Sequence, residues 1–95
     1  MSEGDGEGAK APRGRPDVVF RSVAGDWVLY DPRTQDLHVL NVTAAAVWAC
    51  CDGTLDSSAI AREVAEHLEG APSPDEVRAD VDRALDRFRA DGLLE

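Results

Sequence analysis

The sequence of 95 residues is poor in the residue types on which most catalytic and metal sites depend. Its two cysteines are adjacent and its two histidines, His38 and His67, lie far apart, which is unlike the ligand spacing of a closed zinc site. Two tryptophans, one tyrosine and two phenylalanines are too few for a platform that stacks single-stranded nucleic acid. The sequence also shows neither a phosphate-binding loop nor a nucleophile paired with a base. We therefore expect no enzyme activity, no metal and no cofactor.

Basic residues and long apolar runs are also scarce. Ten lysines and arginines stand against 19 acidic residues, and the net charge of −9 would repel nucleic-acid phosphates. The longest apolar run, residues 44–51, is too short to span a membrane, and the acidic, glycine-rich start is unlike a secretory signal. Neighbouring Cys50 and Cys51 cannot form a normal disulfide within a helix. These features predict a cytoplasmic protein with no nucleic-acid or membrane partner.

The composition changes at residue 17. Residues 1–16 contain glycine, proline, alanine and charged residues without periodicity, which predicts a disordered acidic tail before a domain at 17–95. On this prediction, deleting residues 1–14 shifts the melting temperature by no more than about 2 °C. β-Branched and aromatic residues at 18–23 and 27–30 predict two strands around a Gly25-Asp26 turn. A turn with Pro32 at its corner then precedes a third strand at 37–40.

After the third strand the apolar period changes from 2 to about 3.6 residues, as expected for helices. The first helix follows Asn41, a good N-cap, and ends before Gly53, and the second begins at Asp56. The third has the clearest start, because Ser73 and Glu76 match a capping box. The predicted fold class is α+β, a three-stranded antiparallel meander followed by three helices (βββααα), of which the last two resemble a helix-turn-helix.

The segment 37–48, Leu-His-Val-Leu-Asn-Val-Thr-Ala-Ala-Ala-Val-Trp, is followed by Cys-Asp-Gly at 51–53. It resembles the PqqD-like family signature, which is Leu-Asn-x-Thr-Ala, an apolar residue, often Trp, and then Asp-Gly. Arg15-Pro16, Asp31-Pro32 and the Gly-Leu-Leu at 92–94 extend the resemblance over residues 15–95. Proteins of this kind are similar to the RiPP recognition element, a winged helix-turn-helix-like domain that binds the leader segment of a ribosomally synthesised precursor peptide. The resemblance implies a non-catalytic peptide chaperone that presents the leader to a modifying enzyme, such as a radical SAM enzyme or a lasso-peptide-type maturation enzyme.

Physical chemistry independently suggests where such a peptide would bind. A meander leaves an edge strand, and the segment 37–40 has neither a proline nor a charged residue other than His38 to block the addition of another strand. A helical stripe next to the inward face of the third helix would form the other wall of the groove. The predicted peptide-binding residues are Leu37, His38, Val39, Leu40, Arg78, Asp82, Leu85 and Arg89.

Other interpretations are also compatible with these sequence features. The strand at 37–40 could be an ordinary sheet member, and the alternating acids and arginines of the third helix are typical of a solvated face. A winged-helix DNA-binding transcription regulator shares the helix-turn-helix pattern, although residues 54–95 carry eleven acids and only five arginines. A purely structural subunit, or a partner of the toxin–antitoxin kind, is the third class.

Overall fold

A computed structural model describes residues 11–67 and 73–95 of the chain. The described elements follow the order β1 (Val19–Val23), β2 (Asp26–Asp31), β3 (Asp36–Leu40), α1 (Val42–Ala49), α2 (Ser57–His67) and α3 (Pro74–Ala90). This order confirms the predicted α+β fold, three antiparallel strands followed by three helices. Residues 1–10 of the predicted tail and the predicted end of the second helix near Gly70 and Pro72 lie outside the described residues.

The three strands form one antiparallel sheet in the order β1-β2-β3. Ala24 and Gly25 form the two-residue connection between β1 and β2, with φ values of 53° and 88°. Positive φ at both positions is typical of the type I′ turn, whose twist matches that of the flanking strands. The turn therefore lies one residue earlier than the sequence suggested, and both β1 and β3 are edge strands of this sheet.

The helix starts are stabilised by side chains at the predicted positions. The Asn41 side-chain oxygen accepts a hydrogen bond from the Ala44 amide at 2.7 Å, and the Asp56 carboxylate accepts one from the Ala59 amide at 2.9 Å. Ser73 and Glu76 make both halves of the capping box. The local cap chemistry thus fixes where each helix begins, and in particular it places the start of α1 directly after β3.

The helices cover one face of the sheet. The largest fully buried apolar side chains come from β2, all three helices and the C-terminal segment: Leu29, Val47, Ile60, Val64, Val81, Phe88 and Leu93. Trp48 of α1 packs edge-on against Phe88, with ring centroids 5.3 Å apart. The other face of the sheet leaves Leu37 and Val39 exposed by 67% and 59%. The core therefore packs α3 against α1 and α2, with α1 against β2 and β3, while Leu37 and Val39 of β3 stay accessible.

The boundary expected at residue 17 differs from the structure. The Gly14 amide donates to the Cys51 carbonyl at 2.9 Å, and the Glu95 amide donates to the Arg13 carbonyl at 2.7 Å. Gly14 also lies against Trp48, and a Cβ at that position would be 2.6 Å from the ring. Residues 12–15 therefore belong to the fold. They lack large apolar side chains, and backbone pairing of this kind has no signature in the composition.

Candidate functional site

The open edge of β3 is the first component of the site. The type I′ turn makes Val23 and Asp26 a hydrogen-bonded pair, and hydrogen-bonded and non-hydrogen-bonded pairs alternate along antiparallel strands. With the observed register, this alternation makes Val28–Val39 and Tyr30–Leu37 non-hydrogen-bonded pairs. The backbone N–H and C=O groups of Leu37 and Val39 therefore point away from β2, toward the open edge, where another strand could pair with them.

The side chains of β3 divide between the two faces of the sheet. Leu37 and Val39 lie on the exposed face, whereas Leu40 is buried in the core and His38 is largely covered. The Nδ1 atom of His38 lies 3.5 Å from the Asp91 carboxylate, just beyond the end of α3. Of the four predicted strand residues, Leu37 and Val39 thus offer backbone groups and side chains to a ligand. Leu40 and His38 connect the edge to the helices.

One flank of α3 forms the second component. The Arg87 guanidinium donates from Nη2 to the Val39 carbonyl oxygen at 3.4 Å, which brings α3 to the edge of β3. Beside this contact is a pocket of about 230 Å³ between α3 and the start of α1. Its lining residues are Asn41, Thr43, Ala44, Asp80, Arg83, Ala84 and Arg87. On this flank of α3, Arg87 contacts β3 directly, whereas Asp80 and Arg83 face the start of α1 across the pocket.

The helix residues predicted to bind the peptide lie on other faces of α3. Arg78 donates to the Ser58 and Ser57 hydroxyls at 3.0 and 3.3 Å, so it lies against the start of α2. Asp82 accepts a bond from Arg78 on the same side of the helix. Leu85 is only 3% exposed and packs in the core. The predicted helix stripe therefore does not adjoin β3.

The physical reason is that an amphipathic helix has two flanks with equivalent spacing. Residues on either side of the inward stripe repeat at three- and four-residue intervals, so the sequence pattern does not distinguish them. The path of the chain decides: the start of α2 contacts the flank with Arg78, and β3 leads into α1 beside the flank with Arg87. Arg89, the remaining predicted residue, pairs with Asp86 at 3.2 Å and makes no bond to β3 among the described contacts.

A buried ion pair holds the opposite end of the sheet. Arg15 donates from both terminal nitrogens to the Asp31 carboxylate, at 3.0 and 2.9 Å, and also donates to Asp17. These hydrogen bonds from Arg15 lower the pKa of Asp31 from 3.8 to about 2, against the opposing effect of desolvation. Asp31 ends β2 and also accepts from the Arg33 amide, so the pair orients the turn that leads into β3. Its role is structural.

The cysteines and the metal-binding residue types form no reactive site in the part of the chain that the structure describes. Burial raises the pKa of the Cys51 thiol to about 12, and its Sγ lies 3.2 Å from the Val47 carbonyl. Both cysteines are free thiols. Within residues 11–67 and 73–95 there is no group of three or more His, Cys, Asp or Glu side chains able to hold a metal ion. In the same ranges, no helix has the length and apolar character needed to cross a membrane.

Comparison with known families identifies the chain. The profile of the family described as coenzyme PQQ synthesis protein D (PqqD) matches residues 26–94, which include β2, β3 and all three helices. The chain belongs to the PqqD family. Leader-peptide-binding proteins of the PqqD kind act as recognition elements and not as catalysts. No curated protein sequence matches the chain.

Two solved structures have a similar fold. One is TbiB1 in complex with the TbiA(β) leader peptide, with 17% sequence identity, a TM-score of 0.70, and coverage of 87% of this chain and 94% of that one. The other is lasso peptide synthetase B1 complexed with its leader peptide, with 19% identity, a TM-score of 0.73, and coverage of 90% and 98%. At this identity the similarity establishes that the PqqD-family chain and these two proteins share a fold.

Proposed function

We propose that this chain is a non-catalytic chaperone that binds the leader segment of a ribosomally synthesised precursor peptide as an added strand on β3. The observation that carries the proposal is the open edge, where Leu37 and Val39 direct their backbone donors and acceptors outward. Membership of the PqqD family supports it, as do two structural neighbours that were solved with leader peptides. The peptide would lie between β3 and the flank of α3 that carries Arg83 and Arg87.

Strand addition gives an affinity suited to a chaperone that must release its cargo. About four main-chain hydrogen bonds would form, each contributing about 0.5 to 1.5 kcal/mol net. Apolar leader side chains against exposed Leu37 and Val39 would add about 25 cal/mol for each Å² buried. Ordering a flexible peptide opposes these terms. We therefore expect a dissociation constant on the order of micromolar or somewhat tighter.

The proposed partners are the precursor and a modifying enzyme of the radical SAM or lasso-peptide maturation type, acting in the cytoplasm. The chain itself would contribute no chemistry and would raise the local concentration of the leader at the enzyme. DNA binding is not supported. The exposed arginines of α3 are interspersed with acids, in pairs such as Arg78–Asp82 and Arg89–Asp86, so α3 lacks the excess of basic residues that a DNA recognition helix needs.

The decisive experiment places a proline at the outward amide of β3. Val39→Pro removes one edge donor and puts a ring in the path of the added strand, while the ladder to β2 is preserved. The matched control is Ser22→Pro, because Ser22 pairs with Trp27 in a non-hydrogen-bonded pair and its amide faces outward on the other edge, β1. The ligand is a labelled synthetic peptide with the leader sequence of a candidate precursor, titrated by fluorescence anisotropy.

We expect Val39→Pro to weaken binding about tenfold or more and Ser22→Pro to leave it within about twofold. Circular dichroism and thermal unfolding of both variants report whether the sheet is retained. Equal affinities for the two proline variants, with both folded, would show that the peptide does not add to β3.

A further inference from the structure

We propose that the pocket at the end of β3 recognises a carboxylate of the bound peptide, so that the cognate leader carries an aspartate or glutamate next to the segment that pairs with β3. This inference rests on the proposed function and specifies the chemistry of its ligand. Two arginines, Arg83 and Arg87, would be the specificity-determining residues.

The position of the pocket makes it continuous with the edge. Asn41, on its wall, directly follows the last residue of β3, and Arg87, also on its wall, donates to the outward carbonyl of Val39. A strand that pairs with Leu37 and Val39 and continues in the same direction therefore reaches the pocket. Its volume of about 230 Å³ is below the 300 to 1,000 Å³ of typical small-molecule sites, and suits a side chain.

The charge of the pocket is opposite in sign to that of the chain. Its lining includes Arg83 and Arg87 but only one acid, Asp80, which gives +1 on a protein whose total is −9. Because the overall field repels acidic peptides, a local positive pocket is the place where a peptide carboxylate can be accepted. The planar guanidinium group is well suited to this, since its forked donors match a carboxylate.

The existing partners of the two arginines are weak enough to be replaced. Arg83 pairs with Asp80 across one helical turn, and both side chains are exposed. Arg87 lies 3.7 Å from the Asp91 carboxylate, which is also the partner of His38 at 3.5 Å. Exposed ion pairs of this kind contribute little. Arg87 therefore retains unused donors at the junction of the edge and the pocket.

The same contacts disfavour a cationic peptide side chain. Asp80 is already neutralised by Arg83, and a lysine or arginine entering the pocket would face both guanidinium groups. If the added strand is antiparallel to β3, the somewhat more stable arrangement, the acid lies on the N-terminal side of the paired segment. The acid of the bound peptide is therefore expected at a defined position, on that side of the paired segment.

The experiment selects peptides from a random library displayed on phage, using the full-length chain as bait. Selected peptides are synthesised with their acid intact or replaced, Asp by Asn and Glu by Gln, and are titrated against the wild type, Arg83→Gln, Arg87→Gln and the double variant. Arg62→Gln is the matched control, because Arg62 is an exposed arginine on α2 away from the groove. Val39→Pro is included to report on the edge.

We expect the selected peptides to share an acid at one position beside an apolar, strand-forming segment. Neutralising that acid should weaken binding to the wild type and to Arg62→Gln about tenfold, and should have little effect on the double variant. One outcome would overturn this inference and leave the proposed function intact. In it, Val39→Pro weakens peptide binding, but the selected peptides share no acid, or neutralising their acid weakens binding equally in the wild type and in the double variant. Binding that is unaffected by Val39→Pro would instead overturn the proposed function.

Discussion

Arg15 links three parts of the chain that are far apart in sequence. Its guanidinium donates to the Asp31 carboxylate at the end of β2 and to the Gly92 carbonyl at 2.8 Å, after the end of α3. Arg15 is 8% exposed and Asp31 is 1% exposed, so the buried Asp31 charge depends on its pairing with Arg15. A single residue before the first strand therefore ties the β2–β3 turn to the C-terminal segment.

The Arg15–Asp31 pair predicts a pH dependence of stability. Arg15 lowers the pKa of Asp31 from 3.8 to about 2 in the folded chain. The contribution of the ion pair to the free energy of unfolding is therefore fully present above pH 4 and is lost as the pH falls toward 2. We expect Asp31→Asn to be much less stable than the wild type at pH 7, and the difference to shrink progressively below pH 4. Urea unfolding of both proteins between pH 7 and 2.5 measures this. A difference that stays constant over that range would contradict it.

At the level of elements, the sequence predicts the features that depend on residues close together in the chain, such as helix starts and short strand connections. The Asn41, Asp56 and Ser73 caps are recognisable because each acts on an amide two or three residues away, and the observed helices begin where those caps require. The three-strand order and its short connections were predictable for the same reason. Once the β1–β2 turn is known, hydrogen-bonded and non-hydrogen-bonded pairs alternate from it across the sheet. This alternation determines that the backbone N–H and C=O groups of Val39 point outward.

The wall of the groove on α3 depends on tertiary packing, and the sequence did not reveal it. Arg78 and Arg87 each lie beside the inward stripe of α3, on opposite flanks, and helical spacing alone does not distinguish the two flanks. Only the position of α2 makes Arg78 an interhelical contact. The attachment of residues 12–15 was missed for a related reason. It depends on backbone pairing with distant residues such as Leu93, whose carbonyl accepts from the Arg15 amide at 2.9 Å.

The β1–β2 hairpin contains a turn residue that is not the best for its conformation. Ala24 has φ of 53°, a left-handed conformation that asparagine adopts more readily than alanine. Ala24→Asn creates the Asn-Gly sequence preferred in type I′ turns and should stabilise the fold by about 0.5 to 1 kcal/mol. The control, Gly25→Ala, places a side chain at φ 88° and should destabilise it. Chemical denaturation measures both, and a loss of stability with Ala24→Asn would rule out the type I′ geometry.

At the scale of the whole molecule, the charge distribution complements the proposed role. The C-terminal segment 54–95 accounts for eleven of the acids against five arginines, a net of −6, so repulsion is strongest on the helical side. The exposed apolar side chains Leu37 and Val39 lie on the sheet instead. A ligand attracted by apolar contact and backbone pairing is therefore directed to the edge of β3, and the negative net charge disfavours polyanions such as DNA.

The fold as a whole should depend on residues 12–15 but not on residues 1–11. Four backbone hydrogen bonds attach that short segment: Gly53 to Pro12, Glu95 to Arg13, Gly14 to Cys51 and Arg15 to Leu93. At about 0.5 to 1.5 kcal/mol each, their loss amounts to about 2 to 6 kcal/mol, or about 10 °C or more in the melting temperature of a domain of this size. Deleting residues 1–11 should shift the melting temperature by no more than about 2 °C.

Two truncations, one lacking residues 1–11 and one lacking residues 1–15, measured by thermal unfolding at pH 7, separate the contribution of the attached segment from that of the preceding residues. Equal melting temperatures would show that residues 12–15 add nothing to the domain. A large loss on removing residues 1–11 alone would place an additional stabilising contact before Pro12. We expect a small change in melting temperature for the first truncation and a large one for the second. The chain that begins at Pro12 is then the shorter form suitable for the binding titrations, because it retains Arg15, which holds the β2–β3 turn that leads into the edge strand.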